Sequence, residues 1–232
     1  MNYAVYDSSP IELSNAFVSC KTLVEVIEVV NDNLSQVSRR LGNASLELYD
    51  IIDFRMLSGL IGEMFINELS TQTGFLRKNP NIDGYPDLLD VSGGGVSEAI
   101  KKFPPNKFLK FKYGGLEVKN TFGVKKSKAN ISYRESRLSM INSQLVWKAH
   151  HRETNNLIAL QSDYVNRIPQ LISIFYSAEL TENDWTIKQQ PAAGSTMTSF
   201  CQTKPTAYNK LKQGLKVYRK NIGLERFLEI AE

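Results

Sequence analysis

Leu116-Glu117-Val118-Lys119 is the stretch of sequence that decides the fold. Successive side chains of a β-strand point to opposite faces, so Glu117 and Lys119 share one face and Leu116 and Val118 share the other. The alternation predicts a strand with an apolar face in the core and an acid and a base on its opposite face. A strand is a rigid support for reactive groups.

A second acid, Asp87, stands before the short apolar run Leu88-Leu89. The preceding Gly84-Tyr85-Pro86 favours a turn and an extended entry into a strand. We therefore predict two neighbouring strands that present Asp87, Glu117 and Lys119 to one point in space.

Two carboxylates and a lysine at one point favour metal-dependent phosphodiester cleavage. Asp87 and Glu117 can bind Mg²⁺, which prefers oxygen ligands and keeps several waters, and the carbonyl of Val118 is a candidate further ligand. Lys119 can orient the attacking water or stabilise the developing charge. The alternative is an ordinary strand with a solvated acid and base, because an acid two residues before a lysine often arises by chance.

The segment from Ile51 to Leu69 has the periodicity of an amphipathic helix, and Glu63 lies at the edge of its apolar stripe. Glu63 either helps to hold the metal site or is a solvated boundary residue, and both readings stay open. The stripe consists of Phe54, Leu57, Leu60, Ile61, Met64 and Phe65.

Glu63, the Pro86-Asp87 pair and Glu117-Val118-Lys119 together resemble the PD-(D/E)XK nuclease superfamily, specifically its type II restriction endonucleases. The resemblance implies an α/β (α+β) fold, a central mixed β-sheet flanked by helices. It also implies metal-ligand roles for Asp87 and Glu117 and a catalytic role for Lys119. The family order of helix, acidic strand, acid-x-Lys strand, helix and strand can be laid over Ile51 to Gly74, Tyr85 to Val91, Leu116 to Thr121, and Leu157 to Tyr164.

The segment between Asp87 and Glu117 is long for a hairpin and must contain an insertion. We predict a short helix from Val96 to Lys102, stopped by Pro104-Pro105, and a strand from Phe108 to Tyr113. The insertion leaves Asp83 and Asp90 as alternatives for the first acid. Asp87 is favoured, since it follows the proline and precedes the apolar run.

Length and composition favour one compact intracellular enzyme. The 232 residues are 42% hydrophobic, no apolar run is long enough to cross a membrane, and the N-terminus does not resemble a signal peptide. We expect a cytoplasmic prokaryotic protein with a single domain, 1–232. Its expected parts are an N-terminal helical part, 1–50, a catalytic core, 51–180, and a C-terminal part, 181–232, with a possible recognition loop and a helix.

Cysteine and histidine usage argues against a structural zinc site, because neither residue type has metal-ligand spacing. Cys20 is predicted to be a buried small hydrophobe on the N-terminal helical segment, which is expected to form a long helix or a pair of helices from Pro10 to about Val37 and to end near Gly42-Asn43. Its stripe contains Leu13, Phe17, Val24 and Ile27. The adjacent His150 and His151 are open to three roles: general base, phosphate contact or structural residue.

Basic and amide side chains near the predicted site indicate a DNA partner. A basic arm after the acid-x-Lys strand could follow a phosphate backbone, although a solvated loop is the usual explanation of such a run. A polar loop at 188–195 is a weaker recognition candidate. The predicted DNA-binding residues are Lys125, Lys126, Lys128, Arg134, Gln189 and Gln190.

A C-terminal helix is predicted from Thr206 to Lys220. Its inward residues are expected to be Ala207, Leu211, Leu215 and Tyr218, and its outward residues Lys210, Lys212, Lys216 and Arg219.

The resulting expectation is a Mg²⁺-dependent type II restriction endonuclease that cuts double-stranded DNA. The resemblance implies 5′-phosphate ends, and a homodimer would match the symmetry of a palindromic site. The alternatives are a repair or junction-resolving nuclease of the same superfamily and a non-catalytic DNA-binding module.

Overall fold

The structure is a computed structural model that describes residues 2–46, 48–52, 54–82, 84–111, 114–122, 148–149, 156–186, 201–222 and 224. Its strands are β1 (Tyr3–Val5), β2 (Ile11–Glu12), β3 (Phe17–Val18), β4 (Leu76–Lys78), β5 (Leu88–Asp90), β6 (Gly115–Phe122), β7 (Lys148–Ala149), β8 (Leu157–Val165), β9 (Ile168–Ser177), β10 (Cys201–Gln202) and β11 (Leu215–Arg219). Its α-helices are α1 (Cys20–Asn43), α2 (Leu48–Ile51), α3 (Phe54–Thr73), α4 (Val96–Lys102) and α5 (Pro205–Gln213). Short 3₁₀ helices span Pro105–Phe108, Glu182–Asp184 and Lys220–Ile222.

Seven strands of the described residues form one mixed sheet in the order β1-β11-β9-β8-β6-β5-β4. Strand β6 pairs in parallel with β8, from Glu117 opposite Leu157 to Phe122 opposite Ser162, and antiparallel with β5. The prediction of a central mixed sheet flanked by helices is therefore confirmed. Strands from both ends of the chain, β1 and β11, join the same sheet as the central segments.

The two faces of the sheet pack against different helices. Helices α1 and α3 share one apolar cluster with Leu116 and Val118 of β6. Helix α5 shares a second cluster with Leu157 and Ala159 of β8. Because Glu117 and Lys119 pair with Leu157 and Ala159, they lie on the face opposite to α1 and α3. The alternation predicted for the Leu116–Lys119 stretch is present in the structure.

The N-terminal helix begins later than predicted. The expected helix from Pro10 is wrong, because Ser19 caps the N-terminus of α1 by accepting a hydrogen bond from the backbone N–H of Thr22 at 3.0 Å. The residues before the cap form the β2–β3 hairpin, in which Phe17 is exposed. The predicted burial of Cys20 and the helix end near Asn43 are confirmed.

The helix predicted over Ile51 to Leu69 is present as α3, which begins at Phe54 and ends at Thr73, whereas Ile51 is the last residue of the separate short helix α2. Leu57, Ile61 and Phe65 are fully buried as the stripe predicted, whereas Leu60 is exposed, and its predicted inward position is wrong. The strand expected over Leu157 to Tyr164 is present as β8, and its residues are buried.

The C-terminal helix is shorter than predicted, because α5 ends at Gln213 and Gly214 leads directly into β11. Its Ala207 and Leu211 are buried as predicted. The outward position predicted for Lys216 is wrong: Lys216 lies on β11, is buried, and forms an ion pair with Asp7.

The insertion contains the predicted helix α4, but the strand predicted from Phe108 to Tyr113 is wrong within its described part. Pro105 begins a 3₁₀ helix that ends at Phe108, as a proline with fixed φ and no N–H favours. The chain then forms only a bridge between Lys110 and Tyr85.

None of the described helices combines the length and the apolar character needed to span a membrane.

Candidate active site

The pairing of β5 with β6 brings the two halves of the sequence pattern together. Leu88 lies opposite Leu116 and Leu89 opposite Gly115, so Asp87 falls beside the peptide that joins Glu117 to Val118. Gly115 has a φ of +145°, and a Cβ there would lie 2.1 Å from the carbonyl oxygen of Leu88. Glycine is therefore required for this close approach.

Asp87, Glu117 and Lys119 form a connected cluster. The backbone N–H of Val118 donates to Oδ2 of Asp87 at 2.8 Å, and the backbone N–H of Asp87 donates to Oε2 of Glu117 at 3.3 Å. Lys119 Nζ lies 3.6 Å from Oδ2 of Asp87 and donates to Oε1 of Glu117. The ammonium group thus bridges two carboxylates that come from different strands.

The three side chains are largely withdrawn from solvent: Glu117 is 3% exposed, Lys119 22% and Asp87 27%. Burial raises the pKa of the Asp87 carboxyl to about 6, and the negative charge of Glu117 adds to the effect while Lys119 opposes it.

Burial alone would lower the pKa of Lys119, but the neighbouring Glu117 and Asp87 carboxylates outweigh it, and the pKa rises above its ordinary value. Lys119 therefore carries a positive charge at neutral pH.

The main chain of Val118 faces Asp87. Glu117 donates its N–H to the carbonyl oxygen of Asn156 at 3.0 Å, on the β8 side of β6. The N–H of Val118 points the other way, to Asp87. In an extended strand the N–H and C=O of one residue lie on the same side, so the carbonyl of Val118 is also directed to the Asp87 side.

The donor set can be tested against the expected metal. Among the described residues, no group of three or more His, Cys, Asp and Glu side chains is arranged to hold a metal ion. Mg²⁺ needs fewer protein ligands, since one or two carboxylates and several waters are its usual partners. Asp87 and Glu117 already converge on one cation, the Lys119 ammonium, with the Val118 carbonyl on the same side. The set therefore fits Mg²⁺.

Glu63 lies at the margin of this cluster. Its side chain is 52% exposed and pairs with Lys78 of β4, although its charge adds slightly to the raised pKa of Asp87. An exposed pair of this kind is the arrangement expected of a solvated boundary residue.

Asp90, one of the two alternatives to Asp87 as the first acid of the pattern, forms hydrogen bonds with residues outside the cluster. It is buried and accepts hydrogen bonds from the N–H of Ser14 at 3.0 Å, the N–H of Ser92 at 2.9 Å and the hydroxyl of Ser92 at 2.5 Å. Burial raises the pKa of Asp90, but these hydrogen bonds outweigh it and lower the pKa. Asp83 lies outside the described residues.

Other residues predicted to bind DNA or to assist catalysis also lie outside the described residues. They are Lys125, Lys126, Lys128, Arg134, His150, His151, Gln189 and Gln190.

Two residues that support the cluster were missed by sequence reasoning. Asn79 is buried between the carbonyls of Pro86 and Phe108, and Asn156 presents its carbonyl to Glu117 while its side chain accepts from the hydroxyl of Tyr176 at 3.0 Å. An asparagine near a proline or a strand start usually indicates a turn, so neither carried a distinguishing signal.

Searches of protein-family models, of curated proteins and of solved structures find no match to this chain. A functional assignment must therefore be derived from the fold and the geometry of this cluster.

Proposed function

We propose that the protein is a Mg²⁺-dependent DNA endonuclease that acts as a type II restriction enzyme. The observation that carries the proposal is the convergence of Asp87 and Glu117 on the ammonium group of Lys119. The described elements α3, β5, β6 and β8 follow the PD-(D/E)XK order of helix, acidic strand, acid-x-Lys strand and final strand, and most of the segment expected to hold the second helix of that order lies outside the described residues.

Asp87, Glu117 and the carbonyl of Val118 are the groups that would hold Mg²⁺. A bound Mg²⁺ would polarise a phosphoryl oxygen and help a bound water to attack. Asp87 must lose its proton to bind, and its raised pKa of about 6 still leaves it mostly ionised above neutral pH.

The protein groups around the reacting phosphate have separate tasks. Lys119 supplies a fixed positive charge, which can stabilise the charge gained by the phosphate or orient the attacking water. The side chain of Glu117 is buried, and its Oε2 accepts a hydrogen bond from the N–H of Asp87. The N–H of Val118 fixes Oδ2 of Asp87.

Exposed lysines on the insertion after Asp87 would favour a DNA partner, although one of them, Lys101, pairs with Glu98. Lys101, Lys102 and Lys107 are exposed on the insertion, and this insertion is tied to the chain before Asp87 by a hydrogen bond from Nδ2 of Asn81 to the carbonyl of Pro105 at 3.2 Å. Lysines placed there can contact phosphates and make binding salt-dependent.

In the proposed enzyme, the basic arm after β6 follows the DNA backbone, and Gln189 and Gln190 of the polar loop read base edges. We propose that it acts as a homodimer, since a two-fold axis matches a palindromic site.

The test is digestion of a long natural duplex by the purified protein with Mg²⁺, with EDTA as the blank. Discrete fragments with 5′-phosphate ends support the proposal. Nicking confined to branched DNA would indicate a junction-resolving nuclease, and a gel shift without cutting would indicate a binding module; either result would overturn the proposal.

Lys119→Met should abolish cutting while the protein stays folded. Lys210→Met is the matched control, because Lys210 also pairs with a buried aspartate, Asp184, but at α5. Full cutting by the Lys119→Met protein would contradict the assigned site.

A further inference from the structure

We propose that Asn79 is the positioning residue for Asp87. Asn79 directly follows β4 and is only 6% exposed, and its side chain and main chain both contact the segment that carries Asp87. The catalytic consequence of this inference rests on the proposed function, but the positioning itself does not.

Asn79 holds the peptide groups on both sides of Asp87. Its Nδ2 donates to the carbonyl oxygen of Pro86 at 3.0 Å, and its backbone N–H donates to the carbonyl oxygen of Asp87 at 2.8 Å. The first carbonyl belongs to the peptide before the Cα of Asp87 and the second to the peptide after it. Both backbone groups that set the direction of the Asp87 side chain are therefore fixed by one residue.

The remaining atoms of the Asn79 amide are also engaged. Nδ2 donates a second hydrogen bond, to the carbonyl of Phe108 at 3.0 Å, and Oδ1 accepts from the N–H of Asn81 at 2.9 Å. A Cβ on Gly84 would lie 2.5 Å from this amide, so the loop closes tightly over it. The site requires two donors and one acceptor, which a primary amide supplies and a carboxylate does not.

Small displacements of Asp87 would disconnect the cluster. The position of Asp87 allows its Oδ2 to accept from Val118 and its N–H to donate to Glu117. Loss of the Asn79 donors leaves the Pro86 and Phe108 carbonyls unpaired, and the segment must shift to find other partners. Residues that orient metal ligands from behind commonly change metal affinity or activity by about 10–100-fold when replaced.

Asn79→Asp is the critical variant, because it keeps the size and the acceptor but removes both donors. Asn31→Asp is a closely matched control. Asn31 is 7% exposed, its Nδ2 donates to the carbonyl of Leu171 at 3.0 Å, and its Oδ1 accepts from the N–H of Leu171 at 2.8 Å. Asn31→Asp thus removes the same amide donors from the core between α1 and β9, away from Asp87.

The first readout is the amide signal of Val118 in metal-free protein, measured by NMR. In the wild type this N–H donates to a carboxylate and should be shifted downfield and exchange slowly. Asn79→Asp should remove both properties, and Asn31→Asp should leave them intact. An unchanged Val118 signal in folded Asn79→Asp protein would overturn the proposal, whether or not the protein cuts DNA.

The second readout is cleavage. Asn79→Asp should lower kcat by about 10–100-fold and raise the Mg²⁺ concentration needed for half-maximal rate, while KM for DNA stays within a factor of about two. Equal losses in Asn79→Asp and Asn31→Asp would mean that Asn79 supports only stability, and would refute the inference. Absence of cleavage by the wild type would refute the proposed function alone, since the Val118 signal still tests the positioning.

If Asn79→Asp fails to fold, Asn79→Ser replaces it in both measurements. Serine adds no charge and retains one donor, so the changes should have the same direction and be smaller. A Val118 signal and a Mg²⁺ requirement equal to those of the wild type would contradict the proposal.

Discussion

Asp87 directly precedes the short strand β5 and Asp90 is its last residue, and the two carboxylates have opposite electrostatic surroundings. Asp90 accepts three hydrogen bonds from Ser14 and Ser92, and its pKa is lowered. Asp87 accepts one from Val118 and lies beside Glu117, and its pKa is raised to about 6. The protein stabilises the charge of one aspartate with its own N–H and O–H groups. The charge of Asp87 is compensated only in part, by the N–H of Val118 and by Lys119, and a bound metal ion would supply further positive charge.

The largest expected difference between the two aspartates is in DNA cleavage. Asp87→Asn should lower the rate by about 100-fold or more, because the site loses a charged ligand for Mg²⁺. The Asp90→Asn protein should cleave DNA at a rate within a few-fold of the wild-type rate, since Asp90 accepts hydrogen bonds from the loops that carry Ser14 and Ser92. Cleavage rates on one duplex at saturating Mg²⁺ measure the difference. Equal rate losses in the two variants would contradict the separate roles assigned to Asp87 and Asp90.

The two substitutions should also have opposite effects on stability. Between pH 4 and 6 the folded protein binds the Asp87 proton more tightly than the unfolded chain, so stability falls as the pH rises through this window. Asp87→Asn should therefore stabilise metal-free protein at pH 7.5 by about 1–3 kcal/mol. Asp90→Asn should destabilise it by about 1–3 kcal/mol through lost hydrogen bonds to a charged acceptor.

Urea unfolding in EDTA measures both stability changes. Because the pKa of Asp90 is lowered, its contribution should persist above its ordinary pKa and disappear as the pH falls below it. Destabilisation by Asp87→Asn at pH 7.5 would show that its charge is already well compensated by the protein.

The carboxyl titrations sharpen the comparison further. In metal-free protein the Asp87 carboxyl should titrate with a midpoint of about 6, and the Asp90 carboxyl below its ordinary value. Carbon NMR of labelled carboxyl groups resolves the two midpoints. Similar midpoints for the two groups would remove the physical basis for distinguishing them.

The smallest expected effect belongs to Glu63. Glu63→Gln breaks an exposed pair with Lys78, so stability should change by less than about 1 kcal/mol. Cleavage should fall much less than in Asp87→Asn. A loss as large as that of Asp87→Asn would instead place Glu63 among the metal ligands.

The sequence predicted the parts of the fold that depend on periodicity. Alternation in Leu116–Lys119 correctly separated the core face from the acid and base, and the apolar spacing of Leu57, Ile61 and Phe65 correctly gave the buried face of α3. These patterns record burial directly, because each side chain's face follows from its position in the element.

Features that depend on tertiary contacts could not be predicted in this way. Lys216 continues a helical pattern after α5, yet it lies buried on β11, because Asp7 and Ser9, far away in the sequence, supply its partners. The role of Asn79 could not be predicted for the same reason, since its partners Pro86 and Phe108 come from two other segments. The sequence already favoured Asp87 over Asp90, but the contact of Asp87 with Glu117 and Val118 depends on the pairing of β5 with β6.

The measurement that most directly tests whether a divalent cation belongs between Asp87 and Glu117 is the Asp87 titration repeated with millimolar Mg²⁺. A bound cation favours the ionised carboxylate, so the midpoint should fall from about 6 to well below it. The same addition should leave the midpoint of Asp90 unchanged. An Asp87 midpoint that stays near 6 in folded protein at saturating Mg²⁺ would contradict the account.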